Sequence, residues 1–149
     1  MRPLVLLKCL AVAGFAYAGV SLADVALPDD VRVVAPPDSV APDIAAFSGE
    51  WRGVWSGKLQ SALIVEEINN ESATVIYAWG DAPDWRTVKG FQRVRTATVT
   101  TKPKAEVRFG GSNTYVLHMN ADRKSITITR MSPMPNPRVG VEVFRRVGQ

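Results

Sequence analysis

From Phe47 onward the apolar residues fall at every second position, and that spacing constrains the fold more than any other feature of the chain. Successive side chains of an extended backbone leave opposite faces, so a period of two marks strands with one side in a core. Gly49, Trp51, Gly53 and Trp55 share one face of the first run, with Glu50, Arg52 and Ser56 on the other. The tryptophan face is expected to point inward. Leu59, Ser61, Leu63 and Val65 alternate next, the polar turn Asn69-Asn70-Glu71 follows, and Ala73, Val75, Tyr77 and Trp79 mark the return strand.

Past the loop Gly80-Asp81-Ala82-Pro83-Asp84 the pattern resumes from Trp85 to Lys89, then from Phe91 to Thr101, then at Ala105, Val107 and Phe109. Gly110-Gly111-Ser112-Asn113 turns the chain into Tyr115, Leu117 and Met119, and Asn120-Ala121-Asp122-Arg123 turns it again into Ile126 and Ile128. The last run carries Val139, Val141 and Val143. No stretch has the spacing of a long amphipathic helix. About eight or nine short strands, with turn signals roughly every 8 to 12 residues, predict an all-β domain. The turns are local, which favours a small antiparallel up-and-down barrel of about eight strands over the alternative, a β-sandwich, because closure removes exposed edges. A barrel of that size has room for packed side chains or one small ligand.

Ahead of this domain stand two segments of different character. A basic start from Arg2 to Lys8 leads into an unbroken apolar run from Cys9 to Val20, the pattern of a signal peptide. The run is shorter than the roughly 20 residues of a spanning helix, so a cleaved leader is expected rather than an anchor. Of two small-residue cleavage sites, Ala16-Tyr17-Ala18 and Ser21-Leu22-Ala23, the second is preferred because apolar character stops there. Lys8 precedes Cys9 and the apolar run follows it, the reverse of a lipid-attachment site. The expectation is a secreted or periplasmic bacterial protein with no membrane span after cleavage. Cleavage removes the single cysteine, so a core of decent size, not a disulfide, must hold the domain together. About 125 residues remain, enough for one such core.

From Asp24 to Ala45, Pro28, Pro36, Pro37 and Pro42 recur among aspartates, valines and alanines. Proline at that density disfavours helix and cannot feed a sheet ladder, so residues 24–45 read as a proline-rich linker between the leader, 1–23, and the barrel domain, 46–149. The segment serves either as a tether or as an extended arm that enters a partner's groove. Loss of Arg2 and Lys8 lowers the net charge from +4 to +2. No basic run is dense enough to follow a phosphate backbone, and nucleic acid is not an expected partner.

The Gly-x-Trp of Gly49-Glu50-Trp51 on the first strand, with the pair Arg145-Arg146 on the last, resembles the lipocalin and calycin arrangement. The resemblance implies that Trp51 closes the barrel base and that an arginine of the final strand, Arg145, packs across it. The usual helix after the barrel has no counterpart here. Gly49 to Gly80 also resembles uncharacterised bacterial exported modules, some of them accompanying serine-hydrolase domains, which would suit an accessory role.

Little in the sequence supports catalysis. His118 is the only histidine and sits within a strand, where such a residue is usually packed or solvated. Gly-x-Ser-x-Gly is absent, and one histidine without a cysteine excludes the common kind of zinc site. Glu66 and Glu67 are neighbours on a strand and are expected to face opposite ways. Asp81 and Asp84 offer only two of the oxygens a calcium ion needs, and loop aspartates more often cap turns. No metal or other cofactor is expected.

Aromatic residues carry the remaining signal. Tyr77, Trp79 and Trp85 flank one loop and should gather at one end of the barrel, either as a seal or as a flat surface for a ligand, and Trp55 is expected to line the cavity from the first strand. Met131 and Met134 lie in a loop stiffened by Pro133, Pro135 and Pro137, suited to a protein contact or simply to a rigid connection. Three functions follow in order. The first is an exported, non-catalytic binding barrel for a small apolar or amphipathic molecule, with a cavity between Trp55, Tyr77 and Trp79. The second is a periplasmic interaction or inhibitor module, using the proline-rich arm and the Met131–Pro137 loop to hold another exported protein, and it predicts a filled barrel. A carboxylate or histidine enzyme is third.

Overall fold

The alternating runs become eight antiparallel strands: β1 Gly49–Trp55, β2 Leu59–Ile68, β3 Ser72–Trp79, β4 Gly90–Thr100, β5 Glu106–Gly110, β6 Thr114–Met119, β7 Ser125–Met131 and β8 Val139–Arg146. These come from a computed structural model that describes residues 25–148; the leader expected at 1–23 lies outside the described residues. Each strand pairs with the next, and β1 pairs with both β2 and β8, so the sheet is a closed up-and-down barrel and not a sandwich. Local hairpins alone produce this order, as the turn spacing requires.

The inward rows are the apolar rows of the sequence. Trp51, Leu63, Val65, Val75, Leu117, Ile126, Ile128 and Phe144 are fully buried. At Gly53 an added Cβ would stand 2.3 Å from Cδ1 of Phe144, so the absent side chain is what lets that ring lie against β1. The last strand departs from expectation. Val139, Val141 and Val143 face solvent at 66, 57 and 48 % exposure, while Gly140, Glu142, Phe144 and Arg146 form the other face. Gly140 lies beside the Trp55 ring, which stands 3.4 Å from where its Cβ would be. Packing against Trp55 and Gly53 therefore sets the phase of β8, and the valines retain extended backbone on the outside.

The expected strand from Trp85 to Lys89 is a turn. Pro83–Trp85 form one turn of 3-10 helix, Arg86 takes a left-handed conformation at φ 53°, and only a single bridge joins Ala82 to Thr87. Proline's fixed φ suits the first position of such a turn and its missing N–H cannot serve a ladder.

Residues 25–45 pack on the barrel where a free linker was expected. Val25, Leu27 and Val31 cover Ala62, Ile64 and Ile76 on the outer face of β2 and β3. The Val34 amide donates to the Glu66 carbonyl at 2.8 Å, and Arg93 grips Asp30 with two bonds of 2.9 Å. The strap then enters a short helix, α1 Pro42–Ala45, with Pro42 in its first turn. Val40, Ile44 and Phe47 are buried across one end of the barrel. Asn70, in the turn between β2 and β3, accepts from the Ala41 amide at 2.9 Å and donates to the Ser39 carbonyl at 3.1 Å. Apolar residues spaced between the prolines thus find cover on a sheet face that would otherwise be wet.

Candidate functional site

Up-and-down connectivity places alternate hairpin loops at opposite ends, so the 56–58, 80–89, 111–113 and 132–138 connections share one rim. The other end is stoppered by α1, Phe47 and Trp51. Trp51 donates its indole Nε1 to the Phe47 carbonyl at 2.9 Å, and the Arg146 guanidinium covers its ring, 4.1 Å from the centroid. Arg146 also donates to the Ser48 carbonyl at 2.7 Å and to the Ala46 carbonyl. The expected partner was Arg145, which lies outward and exposed, its Cα opposite Arg52. The inward phase of β8 that admits Phe144 admits Arg146 and turns Arg145 away.

At the open rim a pocket of about 260 Å³ is walled by Leu59, Tyr77, Trp79, Trp85, Tyr115 and Arg130, with Gln92 and Asn113 among its polar edges. Tyr77, Trp79 and Trp85, the three aromatic residues that flank one loop, all line it. Trp55 does not: it is buried behind Tyr77, to whose hydroxyl its Nε1 donates at 2.8 Å, with Ser61 Oγ 3.3 Å from the same oxygen. The Tyr115 ring lies 4.6 Å from Tyr77 and stacks on Phe109 at 5.0 Å. These rings and the buried residues beneath them fill the barrel, so the pocket is a mouth above a packed core and not a central cavity.

Hydrogen bonds tie the wall of the mouth to its loops. Trp79 donates Nε1 to the Val88 carbonyl at 2.9 Å, which ties the wall to the 80–89 loop that carries Trp85. Asp81 Oδ1 accepts from the Lys89 amide at 2.8 Å within that loop, and Asp84 pairs with Lys58 at 3.1 Å, so both aspartates act as turn and loop contacts. Burial pushes the phenol of Tyr77 above its ordinary value, and burial followed by the neighbouring Tyr77 does the same to Tyr115. Both phenols are therefore neutral hydrogen-bonding groups near pH 7.

Tyr115 and Arg130 were not singled out in the sequence, although the alternation contains both. Tyr115 precedes Leu117 by two residues, and Arg130 follows Ile126 and Ile128 in the same inward row. An arginine in phase with core residues was the available signal. Met131 ends β7 opposite Val139 at the rim, and Met134 projects from the following loop at 77 % exposure.

The other residues considered for chemistry are dispersed. His118 lies on the outer face, Nε2 3.0 Å from Glu106 Oε2 on the neighbouring strand. Glu66 and Glu67 both border a cleft of about 180 Å³ with Arg32, Arg93 and Arg95, contrary to the expected opposition of adjacent residues. The register shift between Val65 and Glu67 is the reason, since a bulge breaks strict alternation. There Glu66 is bound to Arg93 at 2.9 Å and accepts from the Arg32 amide at 3.1 Å, which fastens the strap. A further groove of about 360 Å³, between Val34–Pro37 and the ends of β2 and β3, has no aromatic wall. Compared with family models, curated proteins and solved structures, the chain matches none.

Proposed function

We propose that this protein is an exported, non-catalytic binding barrel that holds a small amphipathic molecule in its aromatic mouth. The observation that carries the reading is the rim pocket, where Tyr77, Trp79, Trp85 and Tyr115 offer ring faces and Gln92 and Asn113 offer amides. A concave, largely apolar surface with a few convergent polar groups is the general form of a small-molecule site. Its volume lies slightly below the roughly 300 to 1,000 Å³ of drug-sized sites, so the occupant is a small ring or the end of a longer chain. The stacking of Arg146 on Trp51 supports the calycin comparison, with the arginine displaced by one position from the expected Arg145.

A second reading, an interaction module for another exported protein, is favoured by the packed barrel interior, which that reading expects, and by the exposed Val139, Val141, Val143 and Met134. The packed strap argues against its original form, in which the arm was free to enter a partner.

Native mass spectrometry of the protein released gently from its own compartment tests both. A retained small mass that disappears in Trp79→Ala or Trp85→Ala is the expected result. A bare mass, or one carrying a second protein, would replace the binding barrel with the interaction module.

A further inference from the structure

The half-buried arginines of the barrel differ in one respect. Arg52 is paired with Glu50, Arg93 is bound by Asp30 and Glu66, and Arg146 by the Ser48 and Ala46 carbonyls. Arg130 has neither arrangement. Its guanidinium lies over the Trp55 ring at 5.3 Å from the centroid, in the wall of the mouth, and among the described residues no carboxylate forms a salt bridge with it. Glu142, the carboxylate on the inward face of β8, accepts from the Ser56 amide at 2.8 Å and forms no salt bridge with Arg130; an inward cation without a paired carboxylate is costly to desolvate, and its ring contact offsets only part of that cost.

From this geometry we infer that the mouth selects an anionic ligand, a single-ring carboxylate whose carboxyl group pairs with Arg130 while its ring lies against Trp79 and Trp85. The inference rests on the proposed binding role of the mouth and adds the charge of its occupant. A guanidinium presents parallel N–H donors that match a carboxylate's two oxygens. The neutral phenol of Tyr115 and the side-chain amides of Gln92 and Asn113 border the same space, where they can donate to those oxygens. Among the described residues, no acidic side chain lines the pocket to repel an anion. The volume of about 260 Å³ suits one ring with its acid group. The ring can be aromatic or a sugar, since either stacks on an indole face.

Isothermal titration calorimetry with benzoate against benzamide, and glucuronate against glucose, separates charge from ring type. The expected result is that one carboxylate binds at least about tenfold more tightly than its neutral counterpart at low salt, with the preference shrinking as salt is added. Arg130→Gln should abolish that preference and Arg130→Lys should restore part of it, with thermal melting confirming that both are folded. The preference of the native protein is decisive even if a variant fails to fold. Equal binding of acid and neutral probe, or a preference that survives Arg130→Gln, would overturn the anion assignment and leave the binding mouth standing. Failure of all four probes to bind would overturn the anion assignment and count against the mouth itself.

Discussion

Arg146 covers the indole of Trp51 from the last strand while donating to the Ser48 and Ala46 carbonyls just before the first, so one side chain joins the two ends of the barrel domain. The contact sits where the sheet closes, β1 against β8, and where the chain passes from α1 into β1. Arg146→Ala removes the ring contact and leaves two carbonyls without their donor. A loss of about 1 to 3 kcal/mol is expected. Arg145→Ala, on the exposed side of the same strand, should stay within about 0.5 kcal/mol of the parent. Urea unfolding of the two variants checks the contrast, and equal losses would contradict the assignment of Arg146.

Trp51 itself is fully buried, and Trp51→Ala should cost about 3 to 5 kcal/mol by transfer and cavity formation. Trp85→Ala, at the partly exposed rim, should cost far less. Chemical denaturation of both, followed by circular dichroism, separates a core tryptophan from a mouth tryptophan.

Gly53 supports Phe144 by having no side chain. Gly53→Ala places a methyl where the ring now lies, and overpacking of this kind costs about 1 to 3 kcal/mol. The double variant Gly53→Ala with Phe144→Leu should recover part of that loss in thermal melting. Full stability of Gly53→Ala alone would mean that the ring moves aside freely.

The strap gives a pH dependence with a definite sign. Arg93 holds the Asp30 carboxyl below its usual value of 3.8, so the contact stabilises the docked strap above that pH and is lost as the pH falls through the lowered value. The Val34 amide, bonded to Glu66, should exchange faster relative to the core below about pH 4. Asp30→Asn should show the faster exchange already at pH 7. Deletion of residues 25–34 should expose Ile64 and Ile76 and raise binding of a hydrophobic dye, whereas a free tether would leave both readouts unchanged.

The buried phenols respond in the opposite direction. Tyr77 and Tyr115 are acids whose folded pKa values lie above the ordinary 10.0, so their contribution is present below pH 10 and is lost as the pH rises beyond it. Ultraviolet titration of the folded protein should show neither phenolate forming at pH 10, and both appearing together when alkaline unfolding begins. A tyrosine that ionises at pH 10 with the fold intact would show that the mouth is wetter than its packing implies.

Hairpin order and the inward rows of β1, β2 and β3 followed from the sequence because alternation and local turns determine them without reference to distant residues. Trp51 and Trp55 faced inward for that reason, and Tyr77 and Trp79 reached one end together with Trp85 because a single loop joins them. On the last strand, however, the period of two did not decide which row faces the core. Tertiary packing chose the outward side for Val139, Val141 and Val143, since the Phe144 ring occupies the space left by Gly53 across the closed sheet. The same choice selected Arg146 over Arg145. Bulging at Glu66 and docking of the proline-rich strap depended on an outer sheet face that does not exist until the barrel has formed. The mouth was legible in its aromatic residues and hidden in Arg130, whose role arises from surroundings supplied by other strands.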